Sequence, residues 1–323
     1  MNELRKDSIL NRWVIISKDR AKRPDHFRTA PAGTTDPSKC FFCPGHESDT
    51  PEEIERWPNE GHWKIRVFPN KFKATSKETN GLLSETSSNT IMGECYGDHE
   101  ILVESPDHQK SLKDIPLDQI TQVLRILASR EKEHYKRKHI EYVSIFKNSG
   151  KDAGASLPHS HIQLISYNLV PIIIRRKLDA IYQNHHKHGI CPYCTLLHTE
   201  SKTERSVTTD GRFVSFTPFA SRFPFELTII PKNHINSLSA LSDSDLSDLA
   251  QTLQTVLIRL SGLGDIPYNI LFFSYPKDDH FHFHIEICPR LAKWAGFELG
   301  TGTIINSMPP EDAAKFYRGE NHS

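Results

Sequence analysis

Charge of one sign is what this sequence most plainly lacks: Lys and Arg together number 40, Asp and Glu also 40, and the formal net charge is zero. Such a chain is not drawn as a whole onto nucleic acid or an anionic membrane, and any anionic ligand must be met by a local cluster. Long apolar runs are missing too. The longest, Leu169-Val-Pro-Ile-Ile-Ile174, is far too short to span a bilayer, and the opening Met1-Asn-Glu-Leu-Arg-Lys-Asp7 carries no apolar leader. The expected location is the cytoplasm, with neither a membrane nor nucleic acid as partner. Low-complexity tracts are absent, because the 20 prolines and 16 glycines are spread as turn signals through a chain 37% hydrophobic and 25% charged. Cysteine is scarce, with six among 323 residues, yet four of them form two C-x-x-C pairs, Cys40/Cys43 and Cys191/Cys194. In a reducing compartment such pairs hold metal more often than they form structural disulfides. Cys95 and Cys288 are expected to be small buried hydrophobes.

What is present is a long internal repeat. One copy runs Glu100-Ile-Leu-Val-Glu-Ser-Pro-Asp-His108, Ser111-Leu112, an amphipathic stretch around Leu117 to Leu127, Tyr142-Val-Ser-Ile-Phe146 and His159-Ser-His161. The other runs Leu227-Thr-Ile-Ile-Pro-Lys-Asn-His234, Ser237-Leu238, a helical stretch around Leu246 to Leu260, Asn269-Ile-Leu-Phe-Phe273 and His282-Phe-His284. His159 lies 51 positions after His108, and His282 lies 48 after His234. Each copy has a C-x-x-C pair upstream. Short Val-, Ile- and Phe-rich runs alternate with helices spaced i, i+3, i+4, as at Ile120, Val123, Leu124 and Leu127. The pattern predicts an α+β protein of two similar halves, mostly antiparallel sheet with packed helices.

The repeated residues carry chemistry. Pro158-His-Ser-His-Ile-Gln-Leu-Ile165 is patterned as a strand, so His159, His161 and Gln163 are expected on one face, as are His280, His282, His284 and Glu286 in the second copy. Soft thiolates with imidazole in a four-ligand set favour zinc, two ions per chain. The repeat supplies the sets: Cys40, Cys43, His108 and His159, then Cys191, Cys194, His234 and His282. Strand parity alone leaves His284 as an alternative to His282. With His159 tied to metal, His161 is free for chemistry. Beside it, the loop Asn148-Ser-Gly-Lys-Asp-Ala-Gly-Ala-Ser156 is either a simple turn or a backbone cradle for an anion, although it is no Walker A sequence. The basic cluster Arg20-Ala-Lys-Arg23 is either a solvated turn or a phosphate clamp.

On these residues the chain resembles the galactose-1-phosphate uridylyltransferase family of the histidine-triad superfamily. The likeness covers nearly the whole length, through Arg12-Trp-Val-Ile-Ile-Ser-Lys-Asp-Arg-Ala-Lys-Arg-Pro24, Cys40-Phe-Phe-Cys43, Arg66-Val-Phe-Pro-Asn70, Glu104-Ser-Pro-Asp-His108, Phe146-Lys-Asn-Ser-Gly150 and Gly154-Ala-Ser-Leu-Pro-His-Ser-His-Ile-Gln163. Within the family it looks most like the ADP-glucose phosphorylase-like branch, through Cys191-Pro-Tyr-Cys194, Gly296-Phe-Glu-Leu-Gly-Thr-Gly302 and Ser160 between the histidines. The resemblance implies two histidine-triad-like halves, 1–168 catalytic and 169–323 its counterpart, and a homodimer. It implies a ping-pong reaction in which His161 attacks the α-phosphorus of a nucleoside diphosphate sugar, with a hexose 1-phosphate or phosphate as acceptor. By the same matching, Gln163 holds the nucleotidyl phosphate, Ser156 and Asn148 contact phosphate oxygens, and Asn70 lies near the nucleotide. Arg20 and Arg23 are further substrate-binding candidates.

Overall fold

In the computed structural model, which describes residues 2–17, 36–78, 83–86 and 90–320, with backbone alone at 83–86 and 90, the repeat becomes one continuous sheet. The strands before the first long helix are β1 (Glu3–Lys6), β2 (Trp13–Ile16), β3 (Glu55–Trp57), β4 (Ile65–Pro69), β5 (Leu83–Thr86), β6 (Thr90–Gly93) and β7 (His99–Val103). Helix α1 (Leu117–Tyr135), β8 (Tyr142–Ser149) and β9 (His161–Tyr167) complete the first half. The second holds α2 (Ile172–His188), α3 (Pro192–Glu200), β10 (Ser206–Thr208), β11 (Phe213–Phe216), β12 (Leu227–Pro231), α4 (Asp243–Leu260), β13 (Tyr268–Phe273) and β14 (His284–Pro289). It closes with α5 (Gly296–Thr301), β15 (Ile304–Asn306) and α6 (Pro310–Arg318).

Ten strands form the main sheet in the order β10-β11-β12-β14-β13-β8-β9-β7-β4-β3. Reading outward from the antiparallel β8–β13 seam, β8, β9, β7, β4 and β3 on one side match β13, β14, β12, β11 and β10 on the other. At the seam Asn148 stands opposite Asn269, whose Nδ2 donates to Asn148 Oδ1 across 2.8 Å. The two ends of the chain meet as well, since β15 runs parallel to β2 in a separate sheet of order β1-β2-β15.

Side-chain alternation sorts the two faces of the main sheet. Ile145, Ile162, Leu164, Ile270, Phe272, Ile285 and Ile287 point to one core, shared with Ile120, Val123, Leu124 and Leu127 of α1 and Leu246, Leu249, Leu253 and Leu257 of α4. Burying each of these apolar side chains stabilises the fold by about 2 kcal/mol. Helix α4 starts where it does because Ser242 and Asp245 form a reciprocal cap, Ser242 Oγ accepting from the Asp245 N–H and Asp245 Oδ2 accepting from the Ser242 N–H. The intervening residues, among them His161, Gln163, His284 and Glu286, therefore face the opposite side. There Cys40, Phe42, Cys43, Phe68, Ile101 and Val103 pack over the first half, and α2 and α3 bring Ile174, Ile181, Cys191 and Tyr193 over the second.

Candidate active site and metal centres

Both expected ligand sets come together on that face. Cys40, Cys43, His108 and His159 place one ligand atom each within 4.8 Å of all the others, and so do Cys191, Cys194, His234 and His282. In the first set the sulfur–Nδ1 separations are 3.5 Å for Cys40–His159, 3.3 Å for Cys43–His108 and 3.5 Å for Cys43–His159. In the second they are 3.9, 3.4 and 3.6 Å for Cys191–His282, Cys194–His234 and Cys194–His282. A tetrahedron with zinc bonds of about 2.1–2.3 Å has edges of about 3.4–3.8 Å, so both sets fit the ion. The imidazoles are also turned correctly. His159 Nε2 meets Ser105 O at 2.8 Å, His234 Nε2 meets Asp279 O at 2.9 Å and His282 Nε2 meets Pro231 O at 3.2 Å. Those carbonyls fix the proton on Nε2 and leave Nδ1 as the ligand atom. Burial and the adjacent Cys40 thiol push Cys43 up to about 11. A bound dication stabilises both thiolates and removes that proton.

His161 opens β9 and is 3% exposed. Its Nδ1 lies 2.9 Å from the carbonyl of His159, so Nδ1 carries the proton and Nε2 keeps a lone pair. Burial draws its pKa below the ordinary imidazole value, outweighing the opposite pull of that hydrogen bond. Phe42 sets its ring edge against the imidazole at 5.3 Å between centroids. Beneath the strand, Lys147 Nζ donates to both oxygens of Glu104 at 2.9 and 3.0 Å, and Ser160 Oγ donates to Glu104 at 2.6 Å. Lys147 also reaches Ser160 Oγ and the carbonyl of His161. This buried ion pair pins the turn between the two histidines, and removing one partner alone would cost about 3–5 kcal/mol.

Gln163 follows on the same face. Its Oε1 lies 2.9 Å from Nε2 of His99, and His99 Nδ1 accepts the N–H of Ala74 at 3.3 Å. Asn70, at the end of β4, accepts the Phe72 N–H on Oδ1 at 2.8 Å and brings Nδ2 to 3.1 Å from His99 Nε2.

The second half keeps the scaffold and changes the chemistry. His284 Nδ1 bonds His282 O at 2.8 Å, as His161 does His159, and Tyr193 and Phe273 stack on its ring. Its Nε2, however, accepts from Lys177 Nζ at 2.7 Å, and Lys177 also donates to Glu286 at 2.9 Å. Glu286 is paired again with Arg222. Burial first, then the Lys177 charge, draw His284 down to about 4. The alternative between His282 and His284 is thereby resolved in geometry: His282 joins the cysteines and His284 joins the lysine. His280 leaves the expected shared face altogether and is exposed, because the residues before His284 are not strand. A cavity of about 420 Å³ opens at His284, lined also by Lys177, Tyr193 and Arg222. A second cavity, of about 460 Å³, lies in the first half against Cys43, Asp107 and His108.

Residues 1–171 match the family described as galactose-1-phosphate uridyl transferase, N-terminal domain, and residues 104–316 match a domain of unknown function, DUF4921. A curated ADP-glucose phosphorylase from Arabidopsis thaliana is 37% identical over 330 residues, covering 98% of this chain and 92% of that protein. The chain belongs to the galactose-1-phosphate uridylyltransferase family. A galactose-1-phosphate uridylyltransferase from Thermotoga maritima is 31% identical over 333 residues, covering 98% of each. The crystal structure of an ADP-glucose phosphorylase from Arabidopsis thaliana with bound ADP-glucose aligns over all of both chains, with TM-score 0.85 and 35% identity.

In this member of the galactose-1-phosphate uridylyltransferase family the remaining expected residues are placed unequally. Asn148 is on β8 facing the same side as Gln163, and Ser156 is exposed on the loop before His159. Arg20 and Arg23 lie outside the described residues. Of the two readings of the loop 148–156, its bonds at 153–155 are those of a turn, because the Ala153 and Ala155 N–H groups bond Gly150 O and the Gly154 N–H bonds Lys151 O. The loop closes on itself. Only glycine fits at its start, since Gly150 has φ +82° and an added Cβ would meet Pro267 at 2.9 Å. Cys288 is buried, but Cys95 is exposed, because it lies just past the exposed end of β6. Pattern reading missed His99, Lys147, Glu104 and Lys177. The signal for Lys177 was its place in the buried stripe of α2, three and four positions from Ile174 and Ile181.

Proposed function

We propose that the protein is a nucleotidyltransferase that moves a nucleoside monophosphate from a nucleoside diphosphate sugar to a hexose 1-phosphate, through a nucleotidyl-His161 intermediate. The observation that carries this reading is the tautomer of His161, whose Nδ1–H is committed to the His159 carbonyl so that Nε2 alone can attack. The Nε2 lone pair forms a bond to the α-phosphorus while the bond to the sugar 1-phosphate oxygen breaks and the electron pair leaves with that oxygen. The Nδ1 proton stays on the ring, and its hydrogen bond to His159 O stabilises the charged imidazolium. An oxygen of the acceptor phosphate then attacks the same phosphorus, and the N–P electrons return to Nε2. Gln163 donates its amide to a nonbridging oxygen throughout. Asn148, Ser156, Arg20 and Arg23 bind phosphates, and Asn70 binds the nucleotide.

Residues 1–168 form the catalytic half and 169–323 its counterpart, working in the cytoplasm. Zinc is held by Cys40, Cys43, His108 and His159 and by Cys191, Cys194, His234 and His282, and it supplies folding free energy. The first site locks His159, the residue whose carbonyl orients His161. Ser160 and the 37% identity to a protein named ADP-glucose phosphorylase favour a second reading of the same chemistry, adenylyl transfer from an ADP-sugar to inorganic phosphate. The deciding experiment incubates the protein separately with UDP-glucose, UDP-galactose and ADP-glucose and weighs it intact. A uridylyl or adenylyl increment on His161 is expected, and its base tells the two readings apart. Reversible binding without any increment would overturn both and leave a zinc-stabilised nucleotide-binding protein.

A further inference from the structure

His99, on β7 beside the catalytic strand, has no part in the reaction as written above. It is 6% exposed and shares with Gln163 the sheet face that His161 occupies, β7 and β9 being paired with Ile101 opposite Gln163. An amide side chain can turn either end toward a neighbour, and a neutral imidazole can carry its proton on either nitrogen. Here a backbone group removes both freedoms. The Ala74 N–H can only donate, and it reaches His99 Nδ1 at 3.3 Å. Nδ1 is therefore the acceptor, and the single ring proton sits on Nε2. Burial, which draws His99 below the ordinary imidazole value, keeps it to one proton.

The Nε2–H then donates to Gln163 Oε1 at 2.9 Å, which leaves the Gln163 NH2 turned away from His99. Asn70 is held by its own backbone in the same sense. Its Oδ1 takes the Phe72 N–H at 2.8 Å, so its NH2 is the end that lies against the His99 ring, Nδ2 being 3.1 Å from Nε2, and the Nε2 proton goes to the shorter contact, Gln163 Oε1. Gln163 thus presents its NH2 away from the ring as a donor, the polarity that a phosphate oxygen requires.

We propose that His99 is a positioning residue that fixes the amide of Gln163 with its NH2 toward the transferred phosphate, its own tautomer being set by the backbone N–H of Ala74. This rests on the transferase reading and extends it to a residue outside the H-x-H-x-Q segment. Without the Nε2 donor, Gln163 samples both amide orientations, and one of them turns a carbonyl lone pair onto an anionic oxygen.

The test measures the rate of nucleotidyl-His161 formation by rapid quench and intact mass, with ADP-glucose and UDP-glucose as probes, in wild type, His99→Phe, His99→Gln, Gln163→Ala and the double variant Gln163→Ala with His99→Phe. His99→Phe should slow adduct formation by about tenfold. His99→Gln, which sets an N–H near the place of Nε2, should recover to within about threefold of wild type. In the Gln163→Ala background His99→Phe should add nothing. Wild-type rates in His99→Phe, no recovery in His99→Gln, or losses that multiply in the double variant would each overturn the role. Should His99→Phe fail to melt cooperatively, His99→Ala takes its place in the same comparisons. Absence of any adduct in wild type overturns the transferase reading, and this role with it, whereas a normal wild-type adduct with an indifferent His99 sinks this role alone.

Discussion

Lys177 donates to Nε2 of His284 across 2.7 Å, so the imidazole that corresponds to His161 has its lone pair occupied by an ammonium group. The two halves share the H-x-H scaffold, the Nδ1-to-carbonyl bond and the cysteine set, and they differ at the one nitrogen that matters for attack. His161→Ala should therefore abolish the covalent adduct and lower turnover by roughly 10⁴-fold or more. His284→Ala should leave the adduct intact. Intact mass after exposure to nucleotide sugar separates them, and an adduct that survives in His161→Ala but not in His284→Ala would reverse the assignment of the halves.

Metal content is a second prediction. Two zinc ions per chain are expected by elemental analysis, and fewer than one would refute the two-site reading. Cys40→Ala should lower the melting temperature by roughly 10 °C, or about 3 kcal/mol, because the first site ties the Cys40–Cys43 segment to His108 and His159. Unchanged melting in a well-folded variant would argue that the set holds nothing.

The identity of residue 163 should set the fate of the intermediate. Gln163 donates but cannot act as acid or base near neutral pH, so the nucleotidyl-histidine should wait for a phosphate acceptor. Gln163→His is expected to slow transfer and raise the fraction of turnover lost to water. Free nucleoside monophosphate measured against transferred product decides this, and an unchanged ratio would release Gln163 from that role.

Glu100, 3% exposed, is bidentate to Arg130 and lies 2.9 Å from His134. Burial alone would raise its pKa, but the His134 and Arg130 hydrogen bonds outweigh it and hold the carboxyl at about 2, against an ordinary 4.5. A depressed carboxyl adds stability that is present above pH 4.5 and lost as pH falls toward 2. The difference corresponds to about 3 kcal/mol. Denaturant unfolding at pH 7, 4.5 and 3 should show wild type losing more stability on acidification than Glu100→Gln; equal losses would mean that Glu100 is not a main source of the acid limb.

Much of this was legible in the residues. The repeat predicted paired halves, and strand parity put His161 and Gln163 on one side because a buried strand alternates strictly. Parity could not separate His282 from His284, which differ by two positions and so share it. What separates them is Lys177, 107 positions from His284, whose charge gave no hint of burial. Glu104 and Lys147 gave no signal of their own, since nothing local shows that sheet pairing will bring them together beside Ser160. The loop before His159 stayed open between turn and anion nest for a related reason: its glycines permit both, and only the folded chain shows that the Ala153, Gly154 and Ala155 N–H groups are spent on Gly150 and Lys151.

The β8–β13 seam has a consequence for how such a second half can persist. Were the halves separate chains, their pairing would depend on concentration, and loss of chemistry in one copy would dilute the working one. Fused through a hydrogen-bonded strand pair and one apolar core, the partner is always present at fixed stoichiometry. Mutations that disarm His284 are then shielded from the mass-action penalty, provided that they leave the shared edge and the cysteine set in place.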